Sequence, residues 1–588
     1  MKKTLLTLTA LALAMTSTQA SVVINSTNFP DEAFRAAIAD RELDQNGDGT
    51  LSDEELGEVN YWELHDVENF KGLEHFTSIE ALMIGTFWKE GPLNATNLDI
   101  TPLKKLWRFD ISNYAISSID FSANTSIWSV QIINCPNLTS FKAPISVTEL
   151  TLGYLPSLTS IDFSIYSKLE RCFLQAVAAP NIDFSNHPTL QSLMLEGTDE
   201  TLYTLNSLNV AGCPELNHLA LRRTKTASVS LKNLPKLYAL DVNQCETSSL
   251  TVLDMPELGG VTCESSDIKE LNIKNCPELS GINCTDNKLQ TLIVDDSPKL
   301  YSVGAANNKL MWLDMSHVQR VSGEDANWFI VDNQQPTVQA VKISPTEVGL
   351  RVHDRLDVSR VLSLRAKGIA QTPKEIFVDG IRYFVFYDNG PDTPNLVGSD
   401  CGYLYDTKWP YVWQEGSENT KDHRLPVTLR VTSWTKHPSW IKLQPTSDVT
   451  GLYDKSALNA LTPPTVLRSQ DYDGKITFSS SNENVVKVDP NTGALTIVGP
   501  GTAYITVSGA ETDYRLAPAS VSYKVIINYM VGDVNGDGEI GIADIVAITN
   551  VMAGNETNSG RTARANVNGD TSVGIADIVA VTNIMAGN

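Results

Sequence analysis

One interval governs this chain. A frame of apolar residues, L-x-x-L-x-L-x-x-N-x-L-x-x-L, returns with starts at Ile79, Leu106, Ile127, Val147, Leu169, Leu190, Leu216, Leu237, Leu258, Leu279 and Leu300. The gaps between starts are 27, 21, 20, 22, 21, 26, 21, 21, 21 and 21 residues. The late frames are the plainest: LGGVTCESSDIKEL from Leu258, LSGINCTDNKLQTL from Leu279 and LYSVGAANNKLMWL from Leu300, with Cys or Ala at the third apolar slot. Proline stands two residues before the start in the last six frames, at Pro188, Pro214, Pro235, Pro256, Pro277 and Pro298. A segment of this length holds a short strand and a return, and cannot bury its apolar side alone. Stacked on its neighbours, it closes one continuous core. The second slot reads Leu82, Phe109, Val130, Leu150, Cys172, Leu193, Leu219, Leu240, Val261, Ile282, Val303, and the third reads Ile84, Ile111, Ile132, Leu152, Leu174, Leu195, Leu221, Val242, Cys263, Cys284, Ala305. No charge enters either column. Eleven such strands predict a parallel sheet about 50 Å long at the usual inter-strand spacing.

This period and spacing resemble the leucine-rich repeat. The resemblance implies a solenoid over 79–325 whose function lies in what the open strand face displays. Strand alternation turns the residues two, four and six places after each start outward. These include Arg108, Asp110, Ser129, Gln131, Ile133, Glu149, Gln175, Glu196, His218, Asp241, Asn243, Glu264 and Asn283. Within this face Phe173 and Met194 supply apolar area, and Arg171 and Arg222 supply charged anchors. They form the candidate surface for a protein or glycan target. A solvated face without a fixed ligand is the competing reading.

Ahead of the repeats, MKKTLLTLTALALAMTSTQA at 1–20 has the charged start, short apolar run and small-residue end of a secretory signal peptide. No later run is long enough to span a bilayer. In 21–78, Pro30 and two acids open a helical pattern that places Phe34 and Ile38 on one face. An EF-hand loop follows. Asp44, Asn46 and Asp48 offer side-chain oxygens, Thr50 its carbonyl, Ser52 the position often bridged by water, and Glu55 both carboxylate oxygens, with Gly49 at the sharp turn. The chemistry is that of a calcium site, against the plainer reading of an Asx-rich turn. The segment resembles the amino-terminal cap of secreted leucine-rich-repeat proteins from gut Bacteroidetes, which implies that it covers the exposed first repeat.

Beyond the repeats the period stops. Runs such as IRYFVFYDNG and LPVTLRVTSW in 326–439 predict strands separated by turns. Trp409, Tyr411 and Trp413 share one side if extended, as a sugar platform would, although aromatics at strand spacing are more often core. Cys401 with His423 or His437 is a conceivable nucleophile pair without a local motif. In 440–528, ITFSSSNENVVKVDPNTGALTIVGPGTAYITVSG reads as short strands broken by Asn and Gly turns. It resembles the bacterial immunoglobulin-like group 2 module, which implies a β-sandwich spacer or adhesive unit.

The tail, 529–588, carries a duplication. Asp533-Val-Asn-Gly-Asp-Gly-Glu-Ile-Gly-Ile-Ala-Asp544 is followed 33 residues later by Asn566-Val-Asn-Gly-Asp-Thr-Ser-Val-Gly-Ile-Ala-Asp577. Each opens a helix, GIADIVAITNVMAGN and GIADIVAVTNIMAGN, identical at 13 of 15 positions. The pair resembles a type I dockerin, the calcium-dependent module that plugs into cohesin domains. The resemblance implies Ca2+ held by Asp533, Asn535, Asp537, the Glu539 carbonyl and Asp544, and by Asn566, Asn568, Asp570, the Ser572 carbonyl and Asp577. It also implies cohesin contacts at Ile542, Ala543, Thr549 and Asn550, and at Ile575, Ala576, Thr582 and Asn583, a set less polar than in clostridial dockerins. The second loop departs from the pattern. Asn566 replaces an acid, and Thr571 replaces the turn glycine, where a β-branched residue is expected to strain the turn.

Net charge of −24 and pI about 4.7 exclude the basic surface that nucleic-acid binding needs. Neither H-E-x-x-H nor G-x-S-x-G is present. Seven of the eight cysteines lie in the repeats, where small buried thiols suit apolar slots. The expectation is a secreted, non-catalytic, modular binding protein. Its fold class is a leucine-rich-repeat solenoid, two β-sandwich-like domains and a small helical EF-hand-type dockerin. The repeats engage a target, and the tail anchors the protein, through a cohesin-like scaffold, at the cell surface. Two readings stay open beside it: an enzyme or accessory subunit of a polysaccharide-degrading, cellulosome-like complex, and a free adhesin whose tail is a calcium-stabilised cap.

Overall fold

Thirteen parallel strands form the main sheet, running from Tyr61–His65 at one end to Trp328–Ile330 at the other. The computed structural model describes residues 21–587 apart from 88, 90, 320–327, 345, 367–368, 388–400, 411–423, 458–459 and 471. The signal-peptide segment, Tyr411, Trp413 and His423 therefore lie outside the described residues. The chain divides into two compact units. The first holds the residues up to Thr337 with Arg355–Leu364 and Gly402–Leu429, and the second holds Val338–Asp354, Arg365–Cys401 and Arg430 onward.

In the first unit, the second apolar slot pairs residue for residue across the sheet. Leu82 sits beside Phe109, then Val130, Leu150, Cys172, Leu193, Leu219, Leu240, Val261, Ile282 and Val303. The register holds because a slip of one residue would turn every apolar side chain to solvent. Two strands extend the sheet past the eleven of the repeat frame, contributing Trp62 and Phe329 to the same column. All eight cysteines are buried and unpaired as disulfides. In the last repeats the return segment is itself a strand. Val229–Lys232, Ser249–Leu253, Glu270–Lys274 and Thr291–Asp295 make a second, four-stranded parallel sheet, burying pairs such as Leu271 with Ile273.

In the last three frames the ninth position closes the turn with a polar ladder. Ser266 donates to the Val242 carbonyl at 2.9 Å, Asn287 to the Cys263 carbonyl at 2.6 Å and Asn308 to the Cys284 carbonyl at 2.9 Å. Gln334, just past the last strand, donates to the Ala305 carbonyl at 2.7 Å and extends the ladder by one step. Buried carbonyls left without these donors would carry a desolvation cost of roughly 1–3 kcal/mol each.

Both ends of the array are covered. Helix α1 (Glu32–Asp40) buries Phe34 and Ile38, and Phe29, Phe34, Trp62 and Phe76 pack with neighbouring ring centroids 4.5 to 6.3 Å apart. Asp31 caps α1 through Phe34 N–H at 3.1 Å, and its other oxygen accepts from Glu68 and Asn69 N–H, so one side chain ties helix to array. At the far end, Phe329 stacks on Trp409, Tyr403 donates to the Met311 carbonyl at 2.6 Å and Arg360 pairs with Asp314 at 3.0 Å.

The second unit is mostly antiparallel. Residues 338–344, Glu347–Arg351, Ile381–Tyr387 and Lys374–Val378 pair in that order. Further on, Val449–Tyr453, Val521–Tyr529, Gly501–Gly509 and Ile476–Ser480 form a four-stranded sheet over a core including Val486, Ile505, Val507 and Val525. The tail folds as α3 (Ile542–Met552), α4 (Ser559–Arg564) and α5 (Ile575–Met585) around Val534, Ala547, Ile548, Ala565 and Val581.

Leu221 is fully buried in the third column between Leu195 and Val242. Leu221→Ala is expected to lower stability by about 2–5 kcal/mol through the cavity it leaves. Urea unfolding of the protein and its variant measures this, and an unchanged midpoint for the repeat transition would contradict the register.

Candidate calcium loops and partner faces

The three loops share one local design, in which carboxylates collect backbone N–H groups at tight turns. In the first, Asp44 accepts from Asp48 and Gly49 N–H at 3.1 and 2.8 Å, and Asn46 from Asp48 N–H at 2.8 Å. Gly47 and Gly49 take φ of 71° and 78°, the left-handed region open to glycine at little cost. Glu55 lies in helix α2 (Asp53–Gly57) and accepts from Gln45 and Ser52 N–H. The Ser52 backbone and hydroxyl hold Glu55 below the usual carboxylate range, and the Thr50 hydroxyl and N–H do the same for Asp48. Thr50–Ser52 pairs antiparallel with Ser21–Val23, fixing the loop to the cap.

The Asp533–Asp544 loop repeats the scheme with deeper burial. Asp533 accepts from Gly536 N–H at 2.7 Å, Asp537 N–H at 3.0 Å and Gly538 N–H at 2.9 Å. Asp544 accepts from Asn535 and Gly541 N–H. Asp533 is fully buried. That burial pushes its carboxyl above the ordinary value, and Asp544 and Asp537 push the same way against the N–H donors. Two buried carboxylates, Asp533 and Asp544, with exposed Asp537 beside them and no cationic side chain among those hydrogen bonds, make a site short of positive charge. A hard divalent cation with oxygen ligands supplies that charge.

This loop is also held from outside. Lys455 N–H donates to the Gly538 carbonyl at 2.9 Å. A Cβ on Gly538 would fall 2.6 Å from the Tyr453 ring, so only glycine fits there. Arg564 lies 3.9 Å over the Tyr529 ring and donates to the Val534 carbonyl at 3.2 Å.

The Asn566–Asp577 loop corrects one expectation. Thr571 does not strain the turn, because it avoids the left-handed region that Gly538 occupies and leaves only Gly569, at φ 73°, there. The backbone relaxes at the expense of a bond. Gly538 N–H reaches Asp533, but among the described residues no such bond runs from Thr571 to Asn566, whose amide donates instead to the Asp570 carbonyl at 2.5 Å. Asn566 Oδ1 is buried without a partner, which suits a ligand oxygen turned to a cation. Burial pushes Asp577 upward, but N–H donors from Gly574, Asn568 and Val567 outweigh it and hold the carboxyl below its ordinary value. Among the described residues no group of three or more His, Cys, Asp or Glu side chains forms a metal cage. Each loop instead mixes carboxylates with Asn oxygens and the carbonyls of Thr50, Glu539 or Ser572, a donor set that suits Ca2+.

The contact residues read from the tail occupy two equivalent faces. Ile542 and Ile575 are 73% and 71% exposed, and Val546, Val579, Met552 and Met585 are exposed beside them. Ala543, Thr549 and Asn550 are exposed on α3, as are Ala576, Thr582 and Asn583 on α5. Each threonine bonds back to the carbonyl three residues earlier, at 2.8 and 2.9 Å.

On the open face of the repeats, the structure places Phe173 beside Met194 in register, both half-buried. It separates the two arginines. Arg171 pairs with Glu149 at 2.6 Å at one edge, and Arg222 pairs with Asp241 at 2.5 Å at the other. Asp110 and Asp241 are buried rather than displayed, because Arg108 and Arg222 lie across them. Further along, Trp409 is core against Phe329. Cys401 and His437 are buried, and His437 is engaged by Arg515 at 2.6 Å.

Calcium is expected to leave the Asn566–Asp577 loop first. That loop has two carboxylates, Asp570 and Asp577, against three in the Asp533 loop, and ligand charge tunes affinity in such loops. Chelator titration of the calcium-loaded protein, followed by the amide signals of Gly538 and Gly569, reads the order. Earlier loss at Gly538 would contradict it.

No curated protein matches the chain. Among solved structures, the functional domain of InlJ from Listeria monocytogenes, described as including a cysteine ladder, is 16% identical with a TM-score of 0.35, covering 71% of this chain and 99% of that one. An internalin, inlF, from the same species is 15% identical with a TM-score of 0.30, covering 50% and 93%. Listeria monocytogenes InlP is 11% identical with a TM-score of 0.26, covering 87% and 99%. No helix among the described residues is long and apolar enough to cross a membrane. Residues 531–586 match the family model of the dockerin type I domain, and the chain thus carries a dockerin type I domain at its C-terminal end.

Proposed function

We propose that this is a secreted, non-catalytic, modular binding protein. Its repeats engage a protein or glycan target, and its calcium-loaded dockerin anchors it to a cohesin-type scaffold at the cell surface. The observation that carries this reading is the match of 531–586 to the dockerin type I domain, joined to two exposed apolar helix faces that nothing in the tail covers. Calcium would be held by the oxygens of the two tail loops and, at the cap, by Asp44, Asn46, Asp48, Thr50 and Glu55. At each site the ion would fix loop geometry, and in the tail it would set the starting direction of α3 and α5. The strands between repeats and tail act as spacers, with 440–528 as an immunoglobulin-like module.

The duplication has a consequence for docking. α3 and α5 present the same chemistry: Ile542-Ala543 with Thr549-Asn550, and Ile575-Ala576 with Thr582-Asn583. The changes between them, Ile548 for Val581 and Val551 for Ile584, keep apolar character. A half-turn rotation that exchanges the halves presents an equivalent face, so a partner binds in either of two orientations. At equal strengths, losing one of two modes costs about RT ln 2, roughly 0.4 kcal/mol. Titration of a recombinant cohesin domain against Ala543→Arg, Ala576→Arg and the double variant is expected to show near-native affinity for each single change and none for the double. A single variant as weak as the double would refute the two orientations. Failure of cohesin domains to bind the unaltered protein would refute the anchoring role and favour a calcium-stabilised cap.

A further inference from the structure

The open face of the repeat sheet is not uniform. The third frame position reads Ala81, Arg108, Ser129, Glu149, Arg171, Ser192 and His218 along the first part of the array, then Ala239, Gly260, Gly281 and Ser302. Over these last four strands, the side chains at that position nearly vanish, leaving a groove of about 430 Å3. Three inter-strand spacings make its floor about 14 Å across.

Neither floor glycine is demanded by the fold. Gly260 and Gly281 have no left-handed φ, and a Cβ would meet nothing within 4 Å at Gly260 and only Ser302 Cβ, at 3.8 Å, at Gly281. Glycine inside a strand weakens it by roughly 0.5–1 kcal/mol relative to alanine, and where packing gives no reason, close approach of a ligand is the remaining one. Gly259 is different. A Cβ there would fall 2.8 Å from the Tyr238 ring. Tyr238 therefore rests on bare backbone while remaining 66% exposed. An aromatic ring propped at the wall of a side-chain-free floor offers a flat apolar surface.

The charge and hydrogen-bonding pattern narrows the occupant. Asp241 lines the groove, but Arg222 neutralises it at 2.5 Å. The other polar lining groups are hydroxyls, the His218 ring and the Asn283 amide, which donates to the carboxylate of exposed Glu264, so the groove offers acceptors and hydroxyls and no free cation. The chain's net charge of −24 opposes an anionic polymer. An extended peptide added as a strand is excluded here, since Gly260–Thr262 and Gly281–Asn283 are already paired on both sides. A flat apolar face, room at the floor and a polar rim that matches hydroxyls and repels anions fit a pyranose ring, whose C–H face stacks on Tyr238 while its hydroxyls meet the polar groups. We propose that this groove is a binding site for a neutral polysaccharide chain. This names the target class within the repeat-binding reading above and rests on it.

Affinity electrophoresis of the whole protein through gels containing mixed-linkage β-glucan, xyloglucan, galactomannan or, as the anionic contrast, polygalacturonate tests the site. At least one neutral polymer is expected to retard the protein, and polygalacturonate is not. Tyr238→Ala should weaken retardation on the order of tenfold, the scale of one lost aromatic anchor. Gly281→Leu, which fills the floor of the groove, should abolish it without lowering stability or changing circular dichroism. Retardation that survives both variants, or that Arg171→Ala with Phe173→Ala removes instead, would place the site elsewhere and overturn the proposal. If no neutral polymer retards the protein, the polysaccharide assignment fails. The broader binding role then still stands or falls separately, on capture of a protein target by the Phe173–Met194 surface.

Discussion

A parallel strand in this array has no stable existence without both neighbours. Its apolar residues are buried only when the repeats on either side are stacked on it, and its backbone N–H and C=O groups find partners across the sheet. The register that joins Leu82 to Val303 through every intervening strand is therefore the constraint on which the first unit depends. It also creates a problem at each end, where the last column would meet water. The aromatic group of Phe29, Phe34, Trp62 and Phe76 answers it at one end, and Phe329 with Trp409 at the other. The nearest-neighbour logic applies to polar groups too, since each ladder donor from Ser266 to Gln334 satisfies a carbonyl of the repeat before its own.

Charge on the open face follows from the same stacking. Neighbouring strands bring one side chain of each repeat within reach of the next, so acids and bases at equal positions pair along the array. Glu149 with Arg171 is such a pair, and Arg222 reaches Asp241 diagonally across two adjacent strands. Exposed pairs of this kind add at most about 1 kcal/mol each. They also neutralise part of the charge that the open face would otherwise display.

In the tail, two copies of one loop–helix unit fold with their helices in contact around Ala547, Ile548 and Val581, and each leaves an apolar stripe uncovered. The copies differ where they touch the rest of the unit. Tyr453, Lys455 and Tyr529 support the Asp533 loop. The Asn566 loop has two carboxylates and has lost the bond from its sixth residue. Near-identical sequences thus give one loop packed against a neighbouring strand and one held mainly by its own hydrogen bonds.

Spacing and loop composition in the sequence determined the repeat starts, the strand columns and the places of the tight loops, because a 21-residue spacing and the Asx-rich loops report local physics that one stretch of chain carries by itself. The same local signals showed where the helices of the tail begin. Tertiary structure decided what depends on neighbours far along the chain. Trp62 and Phe329 extend the sheet although no frame marks them. Asp110 and Asp241 sit at outward positions yet are buried, because an arginine two residues away or on the next strand lies over them. Thr571, a strained residue by analogy with its glycine counterpart, takes an ordinary backbone angle because the loop gives up one hydrogen bond instead. The groove beside Tyr238 was legible only as a run of small residues at one frame position. Its floor and propped ring arise when four strands are set side by side, and no single repeat contains them.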